Sequence, residues 1–264
     1  MNSISSCENH ILSVTDLNVI YNINFYKNTS IRERFVNILN NPMEHLLPIR
    51  DTLHAVKNIS LKLKKGDRLG VLGVNGSGKS SLCKCIAEII RPYSGKIVRS
   101  GTMRSIFEST ICFNPELTGE ENLKILARLI YTNESEESIE EIVRESLDFS
   151  EIGEFRHTPF MNYSMGMKTR ICLSLVSAKP CDLLIMDEVF SGADEFFQNK
   201  ITSRVLDMIH QSGSVIFVSH APEQIKLACN KIIVIKAGSI VFEGDVDQGI
   251  AFYKQNKNPG NLYS

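Results

Sequence analysis

Gly73-Val74-Asn75-Gly76-Ser77-Gly78-Lys79-Ser80 fits the pattern G-x-x-x-x-G-K-[ST]. Four fixed positions recur by chance in roughly one in a hundred chains of this length, so the flanks decide the reading. A short apolar run, Arg68 to Leu72, enters the stretch. A helix-patterned segment, Lys79 to Ile90, leaves it and is expected to stop at Pro92. A strand, a glycine-rich turn and a helix in that order make a phosphate cradle. The glycines let successive backbone N–H groups converge on phosphate oxygens, and the positive end of the helix points at them. Gly73, Asn75, Gly76, Ser77, Gly78, Lys79, Ser80 and Ser81 are the expected nucleotide contacts. Lys79 would reach the β- and γ-phosphates and Ser80 would ligate Mg²⁺.

Outward from the loop, apolar runs alternate with helical stretches. Ser60 to Leu63 alternates as a half-buried strand does and turns at Lys65-Gly66-Asp67. Asp182 to Met186, Val215 to Ser219 and Ile232 to Ile235 are short β-branched or apolar runs separated by helical segments. That alternation predicts an α/β fold with a mostly parallel sheet covered on both faces. Gly119 to Tyr131, Glu136 to Leu147 and Met165 to Ala178 are helix-patterned with no strong strand between them, which predicts an inserted helical subdomain. The Glu-rich stretch from Glu134 to Glu145 reads as the solvated face of a helix.

Two of the strands end in chemistry. Leu183 to Met186 runs into Asp187-Glu188, and acidic groups at the C-terminal end of a buried strand face the crevice where such sheets bind ligands. Asp187 suits a Mg²⁺ contact, and Glu188 is placed to accept a proton from a water attacking the γ-phosphate. Val215 to Ser219 leads into His220, a candidate γ-phosphate contact on the same edge.

Composition bounds the rest. The 264 residues carry 29 basic and 30 acidic side chains, a formal net charge of −1, so neither a nucleic-acid coat nor a polybasic anchor is expected. Apolar residues at 43% exclude general disorder. The seven cysteines contain no C-x-x-C pair and sit mostly in apolar runs, which predicts buried free thiols in a reducing compartment. Neither a secretory signal nor a membrane-spanning run is read in the sequence. Asn230-Lys231 lacks the aspartate of an N-K-x-D element, which disfavours guanine nucleotides.

Asn162-Tyr163-Ser164-Met165-Gly166-Met167-Lys168 resembles the signature motif of the ATP-binding-cassette (ABC) ATPases, in the variant Y-S-x-G-M-[KR]-x-R, and it precedes the Asp-Glu strand. Gly192-Ala193-Asp194 is similar to the D-loop of that family. The resemblance implies a P-loop NTPase (RecA-like) core plus an antiparallel β-subdomain, with ATP and Mg²⁺ as ligands. Ser164 and Gly166 would reach the ATP held by a second copy, together with Asp194, so two chains would close head to tail. Asn114-Pro115-Glu116-Leu117-Thr118-Gly119-Glu120-Glu121-Asn122 also resembles a stretch of the polysaccharide exporters for O-antigen, capsule and teichoic acid.

That resemblance implies a homodimer bound to two copies of an integral membrane permease at the cytoplasmic face of a bacterial inner membrane, moving a lipid-linked glycan. Another ABC transporter, for lipid, drug or solute, is the alternative; a soluble ABC protein on ribosomes or DNA is disfavoured. The expected organisation is one domain over 1–264: an α/β core at 10–107 and 179–243, a helical subdomain at 108–178 and a tail at 244–264. No separate carbohydrate-binding domain is expected. Residues 26–52 read as an insert, with Ile31, Phe35, Ile38 and Leu39 on one helical face. Its plainer reading is a helix packed on the core; the sharper one is a gate helix touching the permease or glycan. The chain departs from the family at three positions. His54 stands where an adenine-stacking aromatic is usual, Glu108 stands near the Q-loop glutamine and could approach Mg²⁺, and Met165 replaces a small signature residue.

Overall fold

In the computed structural model the described residues are 10–23, 51–107, 113–187, 203–204 and 206–256. The strands are β1 (His10–Ile23), β2 (Asp51–Lys64), β3 (Arg68–Leu72), β4 (Ser94–Arg99), β5 (Met103–Ile106), β6 (Leu183–Asp187), β7 (Ser214–Val218), β8 (Lys231–Lys236) and β9 (Ser239–Gly244). The helices whose ends are described are α1 (Lys79–Ile86), α2 (Gly119–Ile130), α3 (Glu136–Ser150), α4 (Met165–Val176), α5 (Pro222–Ala228) and α6 (Val246–Asn256), and residues 203–204 and 206–211 are also helical. Strands β2-β1-β4 form an antiparallel sheet, and β5-β6-β7-β3-β8-β9 form a second, parallel except for β9.

Both faces of the second sheet are buried, and the period of two is visible residue by residue. Leu184, Met186, Val215, Phe217, Ile232 and Val234 enter one apolar cluster. Their alternates Leu183, Ile185, Ile216, Val218, Ile233 and Ile235 enter another, shared with β1, β2 and α1. That is what a near-continuous apolar strand requires. Close approach is enforced where α5 crosses β3: a Cβ on Gly70 would lie 2.5 Å from Cγ2 of Ile225.

Two boundaries and the burial of two thiols differ from the sequence reading. The helix after the phosphate loop ends at Ile86 rather than Ile90. Glu88 takes a left-handed φ of 60°, and the N–H groups of Ile89 and Ile90 turn back to the carbonyl of Lys84 at 2.9 and 3.3 Å, so the helix is closed well before Pro92. The strand read at Ser60 to Leu63 extends back to Asp51, which takes the last two residues of the expected insert. Of the thiols expected to be buried, Cys83, Cys85 and Cys181 are, whereas Cys172 and Cys229 are half-buried. The rest of the insert, with Ile31, Phe35, Ile38 and Leu39, lies outside the described residues.

Helices α2, α3 and α4 have their own apolar cluster, built on Leu123, Ile139, Ile142, Phe160 and Ile171. The Asn114–Asn122 stretch turns out to be a folding device for it. Thr118 and Glu121 form a reciprocal capping box at the start of α2. The side chain of Asn122, 2% exposed, accepts from the Asn114 N–H at 2.7 Å and donates to the carbonyls of Asn114, Leu117 and Thr118 at 2.9–3.2 Å. Asn122→Ala would take the partner from the Asn114 N–H and carbonyl, at about 1–3 kcal/mol each, while the Leu117 and Thr118 carbonyls keep the N–H groups of Phe160 and residue 122. We therefore expect a loss of roughly 3 kcal/mol in urea unfolding. A shift under 1 kcal/mol would show that water replaces the side chain.

Candidate functional site

The loop between β3 and α1 is shaped by what surrounds it. A Cβ on Gly73 would sit 2.5 Å from the Ile235 carbonyl oxygen and 2.6 Å from Ser77 Oγ. Gly78 has φ 105°, and a Cβ there would lie 2.2 Å from the Ala55 carbonyl oxygen. Neither position admits a side chain. The loop is tied to the β8–β9 turn by the Gly238 N–H, which donates to the Ser77 carbonyl at 2.9 Å.

Inside this frame Lys79 is buried, and its Nζ donates to the carbonyls of Gly73 and Val74 at 2.9 and 3.0 Å. Helix α1 has no side-chain cap and no acidic residue in its first turn, unlike α2 and α3, which Thr118 and Ser135 cap. Among the described residues Ser77 Oγ is buried without a hydrogen-bond partner. A buried ammonium beside an uncapped helix start and a hydroxyl without a partner among the described residues makes a concentrated set of donors, so this loop fits a polyphosphate.

The register of the sheet sets the acidic edge. Asp187 ends β6 opposite Val218 of β7, and Val218 pairs with Val71 of β3. Asp187, Ser219 and the phosphate loop therefore leave the same C-terminal edge, Asp187 about two strand spacings, or roughly 10 Å, from β3. Asp187 is buried there. The fully buried thiol of Cys83 on α1 lies within the fields of both groups. Burial pushes its pKa well up, Asp187 adds to the rise and Lys79 opposes it, which leaves Cys83 a protonated, unreactive filler. Beyond β7, the Ser219 hydroxyl donates to Gln224 Oε1 at 2.7 Å and accepts from the Ala221 N–H at 3.0 Å, fixing the turn that presents an exposed His220.

The other expected site residues divide. His54 is on β2, its Nε2 3.0 Å from Asn18 Oδ1. The aromatic ring that the fold brings to the loop helix is Tyr21, whose hydroxyl donates to Ser81 Oγ at 3.1 Å. Sequence reasoning missed it, because only the pairing of β1 with β2 carries Tyr21 to this edge. Ser164 is the exposed N-cap of α4 in the helical unit, where its hydroxyl accepts from the Met167 N–H at 3.2 Å. Gly166 is half-buried in the first turn, after a Met165 that is 67% exposed. Glu188, Asp194 and Glu108 lie outside the described residues.

The segment before Ser164 is held by the Asn114–Gly119 loop. The N–H groups of Phe160 and Met161 donate to the carbonyls of Leu117 and Pro115 at 2.8 and 2.9 Å. A Cβ on Gly119 would strike the Tyr163 hydroxyl at 2.1 Å. The two stretches singled out in the helical region are thus two halves of one packed unit. The sequence pattern described as ABC transporter matches residues 56–191, more than half of the chain. The chain belongs to the ABC transporter family.

As an ABC cassette it is an ATP-hydrolysing enzyme. It is 31% identical over 245 residues to a teichoic acids export ATP-binding protein, TagH, of Staphylococcus haemolyticus, covering 92% of this chain and 89% of that one. It is 35% identical over 196 residues to the O-antigen export system ATP-binding protein RfbE of Yersinia enterocolitica, covering 74% and 81%. In fold it matches a dimeric bacterial ABC transporter cassette with a TM-score of 0.68 at 18% identity, over 89% of this chain and 98% of that one. An ATP-binding subunit of another ABC transporter matches at 0.67 and 20%, over 96% and 95%. Among the described residues no helix is long and apolar enough to cross a membrane.

Proposed function

We propose that this cassette energises export of a lipid-linked polysaccharide, working as a homodimer on two copies of an integral membrane permease at the cytoplasmic face of a bacterial inner membrane. The observation that carries the ATPase half of this reading is the buried Lys79 inside an uncapped, glycine-framed loop on the same sheet edge as Asp187. Lys79 and the loop N–H groups would bind the β- and γ-phosphates. Mg²⁺, when bound, would neutralise charge between those phosphates; Ser80 and Asp187 would hold it, with Glu108. Glu188 would accept a proton from the attacking water, and His220 would contact the γ-phosphate. Tyr21 is better placed than His54 to stack on the base, since its hydroxyl bonds to Ser81 of the loop helix whereas the His54 ring bonds to Asn18.

Dimer closure is supported by the exposed start of α4. Ser164, its neighbouring N–H groups and a first turn without acidic residues offer a second anion site that nothing in the same chain covers among the described residues. The polysaccharide cargo is supported by the names of the relatives and by the resemblance of Asn114–Asn122 to a stretch of that group. Coupling to a permease is supported by α2, which exposes Ile125 (48%) and Leu129 (67%) one turn apart. The test is purification of the tagged protein from its native membranes in mild detergent. One polytopic membrane protein in equal amount, and loss of surface glycan on deletion, are expected. Cytosolic partners alone would overturn the export reading.

A further inference from the structure

The far end of the signature helix is held by an unusual set of groups. Helix α4 spans Met165–Val176, about 18 Å at 1.5 Å per residue. Its last carbonyls collect donors from three other elements. Tyr131, the C-cap residue of α2, donates its hydroxyl to the carbonyls of Leu175 and Val176 at 2.6 and 3.4 Å. Arg204 donates Nη2 to the Ser177 carbonyl at 3.2 Å and Nε to Ser177 Oγ at 2.9 Å. Arg104, on β5 of the parallel sheet, donates Nη1 to the Lys179 carbonyl just beyond the helix. Its guanidinium also lies over the Tyr131 ring, 4.4 Å from the centroid.

Nothing in the helix itself would do this work, since α4 has no basic residue in its last turn. Two external cations therefore sit at the negative end of its dipole. Tyr131 is buried, and its phenol pKa is raised chiefly by that burial, so the hydroxyl stays protonated as a donor. The stack on Arg104 joins a residue of the sheet to a residue of the helical unit. Arg104 is thus placed to fix the angle between the two.

We propose that Arg104, acting through Tyr131 and the Lys179 carbonyl, is a positioning residue that sets where Ser164 and Gly166 meet the nucleotide of the second copy. The inference rests on the closed-dimer reading above. The lever is simple: a tilt of about 5° at the C-terminal end carries the N-terminus of an 18 Å helix about 1.5 Å. Hydrogen bonds to a phosphate do not survive such a displacement, and misplacements near 1 Å cost on the order of a hundredfold in rate. Binding to the loop around Lys79, on the sheet side of the pivot, does not depend on that angle.

The test uses the full chain and a split between two readouts. In a Glu188→Gln background, ATP-driven dimerisation is followed by light scattering and single-site binding by a fluorescent ATP analogue. Arg104→Ala should raise the ATP concentration for half-dimerisation at least tenfold and leave single-site affinity within twofold. Arg104→Lys keeps the charge at the helix end but loses the planar stack, and should recover part of the loss. Failure of Glu188→Gln itself to dimerise would sink the closed-dimer reading. Normal dimerisation of Arg104→Ala in that background would sink the role of Arg104 alone. Equal losses in both readouts would also overturn it, since they mark a general destabilisation. Should Arg104→Ala not fold, Tyr131→Phe, which keeps the ring and removes the donor, is expected to show the same split, and an unchanged dimerisation curve would refute it.

Discussion

Lys79→Ala lowers ATP turnover by about 10²–10³-fold and removes measurable nucleotide binding, because one buried cation supplies the main charge on the β- and γ-phosphates. Its Nζ already lies inside the loop, bonded to the Gly73 and Val74 carbonyls. The ammonium is therefore preorganised rather than recruited from solvent. Loss of the side chain also takes a donor from the Gly73 carbonyl, at about 1–3 kcal/mol, while the Val74 carbonyl keeps the Ser77 N–H at 3.1 Å. Thermal unfolding must accompany the assay to separate a damaged loop from a lost charge. Lys79→Arg is the sharper control. It keeps the charge, but the loop is bounded by the Ile235 and Ala55 carbonyls where Gly73 and Gly78 already forbid a Cβ. We expect Arg to fold and still bind nucleotide at least tenfold more weakly, measured by fluorescence titration. Binding at wild-type strength by Lys79→Ala would remove Lys79 from the site, and by Lys79→Arg it would refute the steric limit set by the loop.

The central strands were legible because each is a short apolar run buried on both faces, and the phosphate loop because its glycines leave a fixed spacing. Strand β1 was not. Its pairing with β2 shifts register at several points, and Asp16 takes a φ of 49°, so the alternation of apolar residues is broken within His10–Ile23. Strand β4 is mostly exposed and carries almost no apolar signal. With β1 unread, Tyr21 could not be placed at the loop helix, and His54 alone stood as the candidate for the adenine-stacking position.

The Asn114–Asn122 stretch teaches a related point. As letters it was a marker of resemblance, whereas in the fold Asn122 satisfies backbone groups and Gly119 makes room for Tyr163. A motif can mark a family through the structure it builds and need not touch a ligand. The network around Arg104 was invisible for the opposite reason. Arg104, Tyr131, Lys179 and Arg204 are far apart in sequence and belong to no pattern, and only the packing of α4 against β5 brings them together.

Glu188→Gln should keep nucleotide binding and lower turnover by about 10²–10³-fold. Glu188 follows Asp187 directly, at the end of a β6 whose last residue is buried on the loop's edge of the sheet. A carboxylate there can take the proton as water attacks. A glutamine of nearly the same shape can still bond to that water but has no basic oxygen to receive the proton. One negative charge is lost, but volume and the loop around Lys79 are little changed, so binding should survive within a few-fold. With hydrolysis blocked, ATP should hold two chains together for as long as it stays bound, and the dimer should disperse when ATP is replaced by ADP. Phosphate release and light scattering on the same sample test both halves. Wild-type turnover would remove Glu188 as the base; slow turnover without an ATP-dependent dimer would instead deny the second anion site at Ser164. Because Lys79→Ala acts on binding and Glu188→Gln on the chemical step, the pair assigns each defect to its own stage of the cycle.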